Sequence, residues 1–354
     1  MKKKNKRKLW FLCAGTSDGR LPKDRVNGLL ISAGSDCKNA RSIQNAKAMI
    51  KVVKPKHLKI DSGGFQIFSS EQKGVPMTFD PRKPLIVSKK ALNIAPCHVV
   101  ERAIEIKADS MVALDFPIRK IKDSHEQNRE FRKKLKYNVK WAIKTAALRK
   151  ALCPEIDLYV PVQAYNLLQF KEFCKKIKGI DFDGFSLPVR NMTMLNIAMF
   201  LLEIHQMGIR KVHILGSSSL PVMSVCAYMS QKFFDWVSFD ATTWRISAQY
   251  GGFINPKDLT TIQLNKPLSY DPLYKCSCRS CAGRTLRQIA NIDKKERIKM
   301  LMTHNYIAVK NLCNMFEKTS ISSRYLKRHL NGSRRSDKSR ILQHMSEIEK
   351  MCSI

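Results

Sequence analysis

Acidic residues are scarce in this sequence: 29 Asp and Glu stand against 64 Lys and Arg, which gives the 354 residues a formal net charge of +35 at pH 7. Lys and Arg side chains that neutralise phosphates release condensed counterions, so a basic excess of this size is typical of proteins that bind a polyanion. We therefore expect a nucleic acid as the partner. An anionic membrane surface is the main alternative.

Long hydrophobic runs are absent as well. No stretch approaches the roughly 20 apolar residues that a bilayer-spanning helix requires, so we expect no membrane segment. The basic N-terminus is followed by a short apolar run, Leu9 to Ala14. That run is shorter than the usual signal-peptide core of about 7–15 residues. The pattern predicts a basic arm at residues 1–8 with a first strand behind it.

A disulfide framework is not indicated either. The eleven cysteines are mostly scattered singly along the chain, which in a chain of this length is typical of reduced thiols. We therefore expect a cytoplasmic protein.

A phosphate-binding glycine fingerprint is missing after the first strand, which argues against a doubly wound open sheet, the alternative fold. Instead, eight short apolar runs alternate with amphipathic, helix-like stretches, as in a parallel sheet covered on its faces. Eight strands close a (β/α)8 TIM barrel, an α/β fold that we predict for residues 9–271. The runs are Leu9–Gly15, Gly28–Gly34, His57–Asp61, Ser110–Pro117, Leu158–Ala164, Gly184–Pro188, Lys211–Ser218 and Trp236–Asp240.

Polar side chains close four of these runs. Asp61 ends the third, Asp115 the fourth, Gln163 the fifth and Asp240 the eighth. A single carboxylate at a strand end is usually a helix cap or a turn residue. The C-terminal ends of barrel strands converge on one face, however, where catalytic residues sit. Four such ends therefore predict a shared polar pocket.

A metal-binding pattern follows the last strand. Cys276, Cys278 and Cys281 form a C-x-C-x-x-C sequence, and His304 follows in a helical stretch. Three thiolates and one imidazole fill the four positions of a tetrahedral zinc site and leave none for a catalytic water, so the predicted Zn²⁺ is structural. The alternative is three reduced cysteines in a tight loop, or part of a redox pair. We predict a zinc-binding subdomain at residues 272–315 and a basic helical tail at 316–354.

Taken together, these motifs resemble the guanine transglycosylases, the enzymes that exchange guanine in a polynucleotide for a 7-deazaguanine base. The sequence "DSGGFQ" is close to a family signature, and "ALDFP", "PVQA" and "SFDATT" follow in the family's order. The cysteine motif continues as "HNY" at His304, as in the family's zinc site. The resemblance runs from about Gly28 to Asn311, and its zinc region is closer to the archaeal type.

The resemblance implies roles for individual residues. Asp240 would be the nucleophile that attacks the anomeric carbon and holds the nucleic acid covalently. Asp61 would be the general acid/base that protonates the departing purine and deprotonates the incoming one. Asp115, helped by Gln163, would read the amidine edge of the purine. The remaining residues of the substrate pocket would be Ser62, Gly63, Gly64 and Phe65, with Phe65 as a candidate for stacking.

The sequence also departs from the family pattern. Where the family usually places a Gly-Gly pair, this chain has Pro188 and Val189, and a proline has no N–H to donate. The stretch after Asp240 lacks the Arg-Asn-Gly element with which bacterial members read a tRNA anticodon loop. A basic tail stands where archaeal members carry RNA-binding domains. The resemblance therefore leaves two polynucleotides open, tRNA and DNA.

Two other classes of protein remain alternatives. The first is a non-catalytic nucleic-acid binder or partner subunit with the same fold and zinc, although such a subunit has no use for Asp240. The second is an unrelated barrel hydrolase with a zinc appendage, which predicts catalytic histidines at the strand ends; the sequence shows no such cluster. A homodimer, which is frequent in the family, and a complex with a partner subunit are both compatible with the sequence.

Overall fold

The structure is a computed structural model. It describes residues 8–15, 21–33, 40–73, 77–78, 85–87, 92–190, 192–266, 271–333 and 335–353. Most of the predicted basic arm, residues 1–7, lies outside this part of the chain.

The strands fall into three sheets. In chain order they are β1 (Lys8–Ala14), β2 (Gly28–Ser32), β3 (His57–Asp61), β4 (Met77–Thr78), β5 (Leu85–Val87), β6 (Leu92–Ile94), β7 (Ser110–Val112), β8 (Asp157–Pro161), β9 (Gly184–Pro188), β10 (Lys211–Leu215), β11 (Trp236–Ala241), β12 (Gly252–Ile254) and β13 (Thr261–Gln263). Eight of them pair in parallel and close into a barrel in the order β1-β11-β10-β9-β8-β7-β3-β2. The predicted (β/α)8 barrel is confirmed, and each of its strands overlaps one of the eight apolar runs.

Helices alternate with the barrel strands and continue beyond them. They are α1 (Ala40–Val53), α2 (Gly64–Gln72), α3 (Pro96–Glu105), α4 (Ser124–Leu152), α5 (Leu167–Lys176), α6 (Met194–Gln206), α7 (Leu220–Lys232), α8 (Thr243–Gln249), α9 (Leu286–Ala290), α10 (Lys294–Lys318), α11 (Ser323–His329) and α12 (Lys338–Met351). Polar residues mark where several of them start: Asp123 accepts a hydrogen bond from the N–H of Glu126 at the start of α4. No helix in the described ranges is both long and apolar enough to cross a membrane.

The main core lies between the barrel and its helices. Alternate strand residues such as Leu58, Ile60, Val237 and Phe239 point outward and are almost completely buried. Burying a side chain of this kind stabilises the fold by about 1.5–3 kcal/mol. The other side chains of the same strands point into the barrel. If one residue of a strand points inward, the residue two positions further along does so as well.

The barrel interior is unusually polar. Val, Ile and Leu usually fill the interior of a TIM barrel, yet Lys59, Ser186, His213 and Ser238 are all completely buried here. Lys59 precedes Asp61 by two residues on β3, and Ser238 precedes Asp240 by two residues on β11. The polar side chains therefore lie one layer below the strand ends.

Three additions to the barrel were not predicted in this form. Strands β4, β5 and β6 form an antiparallel sheet between α2 and α3, and β12 and β13 form a hairpin after α8. Helices α11 and α12 bury Leu326, Leu330, Ile341, Met345 and Ile348. The basic tail is thus folded back onto the protein. Because α10 continues to Lys318, it crosses the predicted limit between subdomain and tail, and the division into domains stays a prediction.

Candidate active site and metal centre

Three carboxylates gather at one mouth of the barrel. Asp61 is the last residue of β3, Asp115 follows β7, and Asp240 lies near the end of β11. Because all eight strands are parallel, these ends open on the same face. The negative charges of Asp115 and Asp240 both raise the pKa of Asp61, which requires the three groups to lie near one another.

Asp61 is a carboxyl group that titrates near neutral pH. Burial raises its pKa from 3.8 to about 7, and the neighbouring charges of Asp115 and Asp240 act in the same direction. The backbone N–H of Gly63, 3.4 Å from Oδ2 of Asp61, opposes the shift. A group with such a pKa can both donate and accept a proton near pH 7, as a general acid/base must.

Asp115 is held from both sides. The hydroxyl of Ser62 donates a hydrogen bond to Oδ1 at 2.5 Å, and the amide of Gln163 donates to Oδ2 at 2.5 Å. Burial raises the pKa of Asp115 to about 6 although these two hydrogen bonds lower it. The side-chain oxygen Oε1 of Gln163 in turn accepts a hydrogen bond from the backbone N–H of Ile118 at 3.2 Å. A carboxylate offers about four acceptor positions, so that of Asp115 keeps capacity to accept from a ligand.

The two glycines that follow Ser62 are required for different structural reasons. Gly63 adopts a φ of 81°, a conformation that other residues rarely take. Gly64 starts α2, and a Cβ added there would lie 2.2 Å from Oδ1 of Asp115. A side chain at position 64 is therefore incompatible with the present position of Asp115. The next residue, Phe65, is 61% exposed, so it has a free face for a flat ligand, and stacking stays a prediction.

The two carboxylate oxygens of Asp240 differ in their contacts. Its Oδ1 accepts a hydrogen bond from the N–H of Gly216 at 3.0 Å and lies 3.4 Å from Nε2 of His213. Within the part of the chain that the structure describes, Oδ2 has no hydrogen-bond partner. The residue is nearly buried, and its side chain is 11% exposed. The carboxylate is thus fixed through one oxygen while the other is available.

The departure at Pro188 lies on the same face. Pro188 ends β9 opposite Leu215 of β10. Val189, the next residue, is buried in the core. Neither position adds a glycine-like opening to the pocket.

Several residues that support the site were not identified from the sequence. On α4, Asn138 exchanges two hydrogen bonds with the backbone of Phe116, next to Asp115. Lys134 is completely buried and lies 2.6 Å from Glu71 on α2 and 2.9 Å from the carbonyl of Pro117. These contacts connect the segments after Asp61 and Asp115. A Lys and an Asn among many basic helix residues give no signal in sequence.

The predicted metal ligands form one cluster. The Sγ atoms of Cys276, Cys278 and Cys281 and a ring nitrogen of His304 lie within 4.8 Å of one another. Nδ1 of His304 is 3.5, 3.3 and 3.4 Å from the three sulfurs. Tetrahedral Zn²⁺ with bonds of about 2.3 Å to sulfur and 2.0–2.1 Å to nitrogen places these atoms about 3.6 Å apart. The geometry therefore fits a metal ion of this type.

The surroundings of His304 orient it for this purpose. Its Nε2 lies 2.9 Å from the carbonyl oxygen of Ile254, which only accepts, so Nε2 carries the proton and Nδ1 turns its lone pair toward the sulfurs. Phe253 stacks on the imidazole with the ring centroids 3.9 Å apart. The neighbouring Asn305 bonds the backbone of Trp244, Gly252 and Ile254. The cluster is thus anchored to the hairpin that follows the barrel.

Fold and site together define a class of protein: a (β/α)8 barrel with three carboxylates at its mouth and a Cys3His cluster in the region that follows the barrel. The family model described as "TGT: Queuine tRNA-ribosyltransferase" matches residues 35–331. The chain is also 20% identical over 311 residues to the tRNA-guanine(15) transglycosylase of Methanococcus aeolicus. The match covers 81% of this chain and 46% of that protein, so the chain spans about half the length of this curated relative.

The chain belongs to the guanine transglycosylase family, because the family model matches most of its length. The resemblance drawn from "DSGGFQ" and the later motifs is confirmed. The roles of the individual residues remain predictions.

Proposed function

We propose that this protein exchanges guanine in a polynucleotide for a 7-deazaguanine base through a covalent aspartyl–nucleoside intermediate. One observation carries the proposal: Asp61 and Asp240 lie at the same mouth of the barrel, and Oδ2 of Asp240 has no hydrogen-bond partner among the described residues. A reaction that replaces one base by another at a sugar carbon needs a nucleophile and a proton carrier of this kind.

In the first displacement, Oδ2 of Asp240 attacks the anomeric carbon of the target nucleotide. The glycosidic bond breaks, and its electron pair leaves with the purine. Asp61 in its protonated form supplies a proton to the departing base. The sugar is then joined to Asp240 as an ester, as in retaining glycosidases.

In the second displacement, the nitrogen of the incoming base attacks the same carbon. The bond to Asp240 breaks, and the electron pair returns to the carboxylate. Asp61, now ionised, takes the proton from the incoming base and is ready for the next cycle. A pKa near 7 suits both steps, because one group must give and take the same proton.

Base recognition is assigned to Asp115. Guanine and 7-deazaguanines present N–H donors along one edge, and the remaining lone pairs of the Asp115 carboxylate accept from them. Ser62 and Gln163 fix the orientation of this carboxylate. Gly64 lets the backbone approach this carboxylate closely, Gly63 would contribute its backbone to the pocket, and the exposed ring of Phe65 would stack on the base.

The polynucleotide is held by the basic surface. A net charge of +35 favours contact with phosphates on either side of the target. The target base must leave its stack to enter a barrel mouth, and phosphate contacts on both sides support this base flipping. Cys276, Cys278, Cys281 and His304 would hold a structural Zn²⁺ that stabilises the region after the barrel and takes no part in the chemistry.

The test is incorporation of radiolabelled guanine into tRNA and, separately, into duplex DNA, with the wild-type protein and with Asp240→Ala. We expect label in one of the two polymers with the wild type and none with the variant. A denaturing gel should also show a covalent protein–polynucleotide adduct, which identifies the polymer. Failure of the wild type to label either polymer contradicts the proposal and favours a non-catalytic subunit that binds nucleic acid.

A further inference from the structure

His213 lies directly beneath Asp240 in the barrel interior. It stands on β10, is completely buried, and pairs with Ser238 of β11 in the strand register. Its Nδ1 is 2.9 Å from the hydroxyl oxygen of Ser238. Its Nε2 is 3.4 Å from Oδ1 of Asp240, and in the described residues it has no better partner. Three buried side chains thus form a line, Ser238 to His213 to Asp240.

The contacts select one tautomer of the imidazole. If Nδ1 carried the proton, the lone pair of Nε2 would face an ionised carboxylate, which is repulsive. If Nε2 carries the proton, it points to Oδ1 of Asp240, and the hydroxyl of Ser238 donates to Nδ1. Burial and the charge of Lys59 lower the pKa of His213, while Asp240 opposes them. The neutral imidazole with its proton on Nε2 satisfies both neighbours.

We propose that His213 is a positioning residue for the nucleophile: with Ser238 fixing its tautomer, it holds Oδ1 of Asp240 so that Oδ2 faces the sugar. The inference rests on the proposed function, in which Asp240 is the attacking group. Gly216 contributes the other donor to Oδ1. The separation of 3.4 Å is long for a hydrogen bond, and such contacts commonly tighten when substrate binds.

The same contact acts in both displacements. In the first, a fixed Oδ1 removes the rotational freedom that would let the carboxylate turn away from the anomeric carbon. In the second, the carboxylate leaves and regains its negative charge, which the N–H groups of His213 and Gly216 stabilise at Oδ1. No proton passes through His213 in either step. Its contribution is orientation and charge stabilisation.

The experiment compares His213→Phe, His213→Gln and Ser238→Ala with the wild type in single-turnover assays of adduct formation and guanine exchange. His205→Phe is the matched control, because His205 lies on the outer helix α6, where it contacts Arg210. Loss of a donor to a group that gains charge in the reaction should lower kcat of His213→Phe about 100-fold. Loss of one neutral hydrogen bond in Ser238→Ala should cost about 10-fold.

Three further results are expected if His213 acts through Asp240. KM for the free base stays within about twofold, since no ground-state contact with the base is removed. His213→Gln, whose amide can again donate to Oδ1, recovers part of the rate. His205→Phe is unchanged, and thermal melting shows that the variants are folded.

Two outcomes overturn the inference and are distinguishable. A wild type without exchange or adduct overturns the proposed function and the role of His213 with it. A wild type that forms the adduct while folded His213→Phe keeps its kcat overturns the role of His213 alone. Should His213→Phe fail to fold, an unchanged kcat in Ser238→Ala, which removes the group that fixes the tautomer of His213, has the same meaning.

Discussion

Ser62 joins Gly64 to Asp115: the hydroxyl of Ser62 donates to Oδ1 of Asp115 at 2.5 Å and accepts from the N–H of Gly64 at 3.0 Å. The segment after Asp61 therefore does more than turn the chain. It also holds the carboxylate of Asp115, so a substitution after β3 is expected to move a side chain that follows β7.

Gly64→Ala should disable the pocket although it favours the helix. Alanine at the first position of α2 stabilises a helix by at most about 1 kcal/mol relative to glycine. The new Cβ would lie 2.2 Å from Oδ1 of Asp115, however, so the carboxylate must move. We expect a loss of base binding, measured as a rise in KM for guanine of about 10-fold or more, in line with the loss of one charge-assisted hydrogen bond. Ser62→Ala is the comparison, because it removes the hydrogen bond from Ser62 to Asp115 without adding volume. Equal KM values for Gly64→Ala and wild type contradict the steric argument.

Lys134→Met should destabilise the fold. The amine is completely buried and lies 2.6 Å from both Glu71 and Glu130, which lose their cation in the variant. Removing one partner of a buried ion pair typically costs about 3–5 kcal/mol. Because both glutamates are partly exposed, we expect the lower end, about 3 kcal/mol, measured by urea unfolding.

Lys47→Met provides the control for this measurement. Its ion pair with Glu105 is half exposed on the surface, where such pairs contribute about 0–1 kcal/mol. A loss of stability no larger than that of Lys47→Met would show that Lys134 does not link the two segments.

The pH dependence of stability should reveal Asp61. Its pKa is about 7 in the folded protein, above the ordinary value of 3.8, so the folded state binds more protons and loses stability as pH rises between these values. In Asp61→Asn this loss is absent. We expect the melting temperature of the variant to exceed that of the wild type by more at pH 8 than at pH 5, as measured by calorimetry. A difference that is constant with pH contradicts the raised pKa.

The same pKa predicts an activity profile. Asp61→Asn should lower the rate of exchange at pH 7 by about 10²–10⁴-fold, the usual contribution of a general acid/base. In the wild type, the rate should change its slope near pH 7. Ser224→Ala, which alters a buried hydroxyl on α7 outside the barrel mouth, serves as the control and should keep both the rate and its pH profile.

Removal of the metal should unfold the region after the barrel. We expect about one Zn²⁺ per chain by mass spectrometry of the metal content, and loss of that ion with strong chelators or in Cys278→Ser. Hydrogen exchange should then accelerate around Cys276 and His304. Cys174→Ser, a substitution on α5 outside the cluster, should keep the metal. Full zinc content in Cys278→Ser contradicts the assigned ligand set.

The buried amine of Lys59 gives an independent prediction. It has no hydrogen-bond partner among the described residues and lies over the ring of Tyr159. Burial lowers its pKa well below the ordinary value, so the folded state binds fewer protons and gains stability as pH rises toward 10.5. Lys59→Met should therefore be more stable than the wild type, by about 1–3 kcal/mol, and the gain should be larger at pH 6 than at pH 9. A destabilised variant at both pH values would show that the amine is satisfied.

The sequence by itself determined the barrel, the metal cluster and the four strand ends at its mouth. Strand periodicity, apolar runs and the spacing of Cys276, Cys278 and Cys281 are local features, and local features can be read from a chain. The parallel order of the strands then brings Asp61, Asp115 and Asp240 to one face without further information.

Only the tertiary structure decided how these groups are held. The contacts of Lys134 with Glu71, of Asn138 with Phe116 and of His213 with Asp240 join residues that are 22 to 63 positions apart. Their sequence surroundings do not distinguish them from other basic or polar residues. The pKa of Asp61 depends on burial and on charges brought close by folding, which is a property of three-dimensional arrangement rather than of residue type.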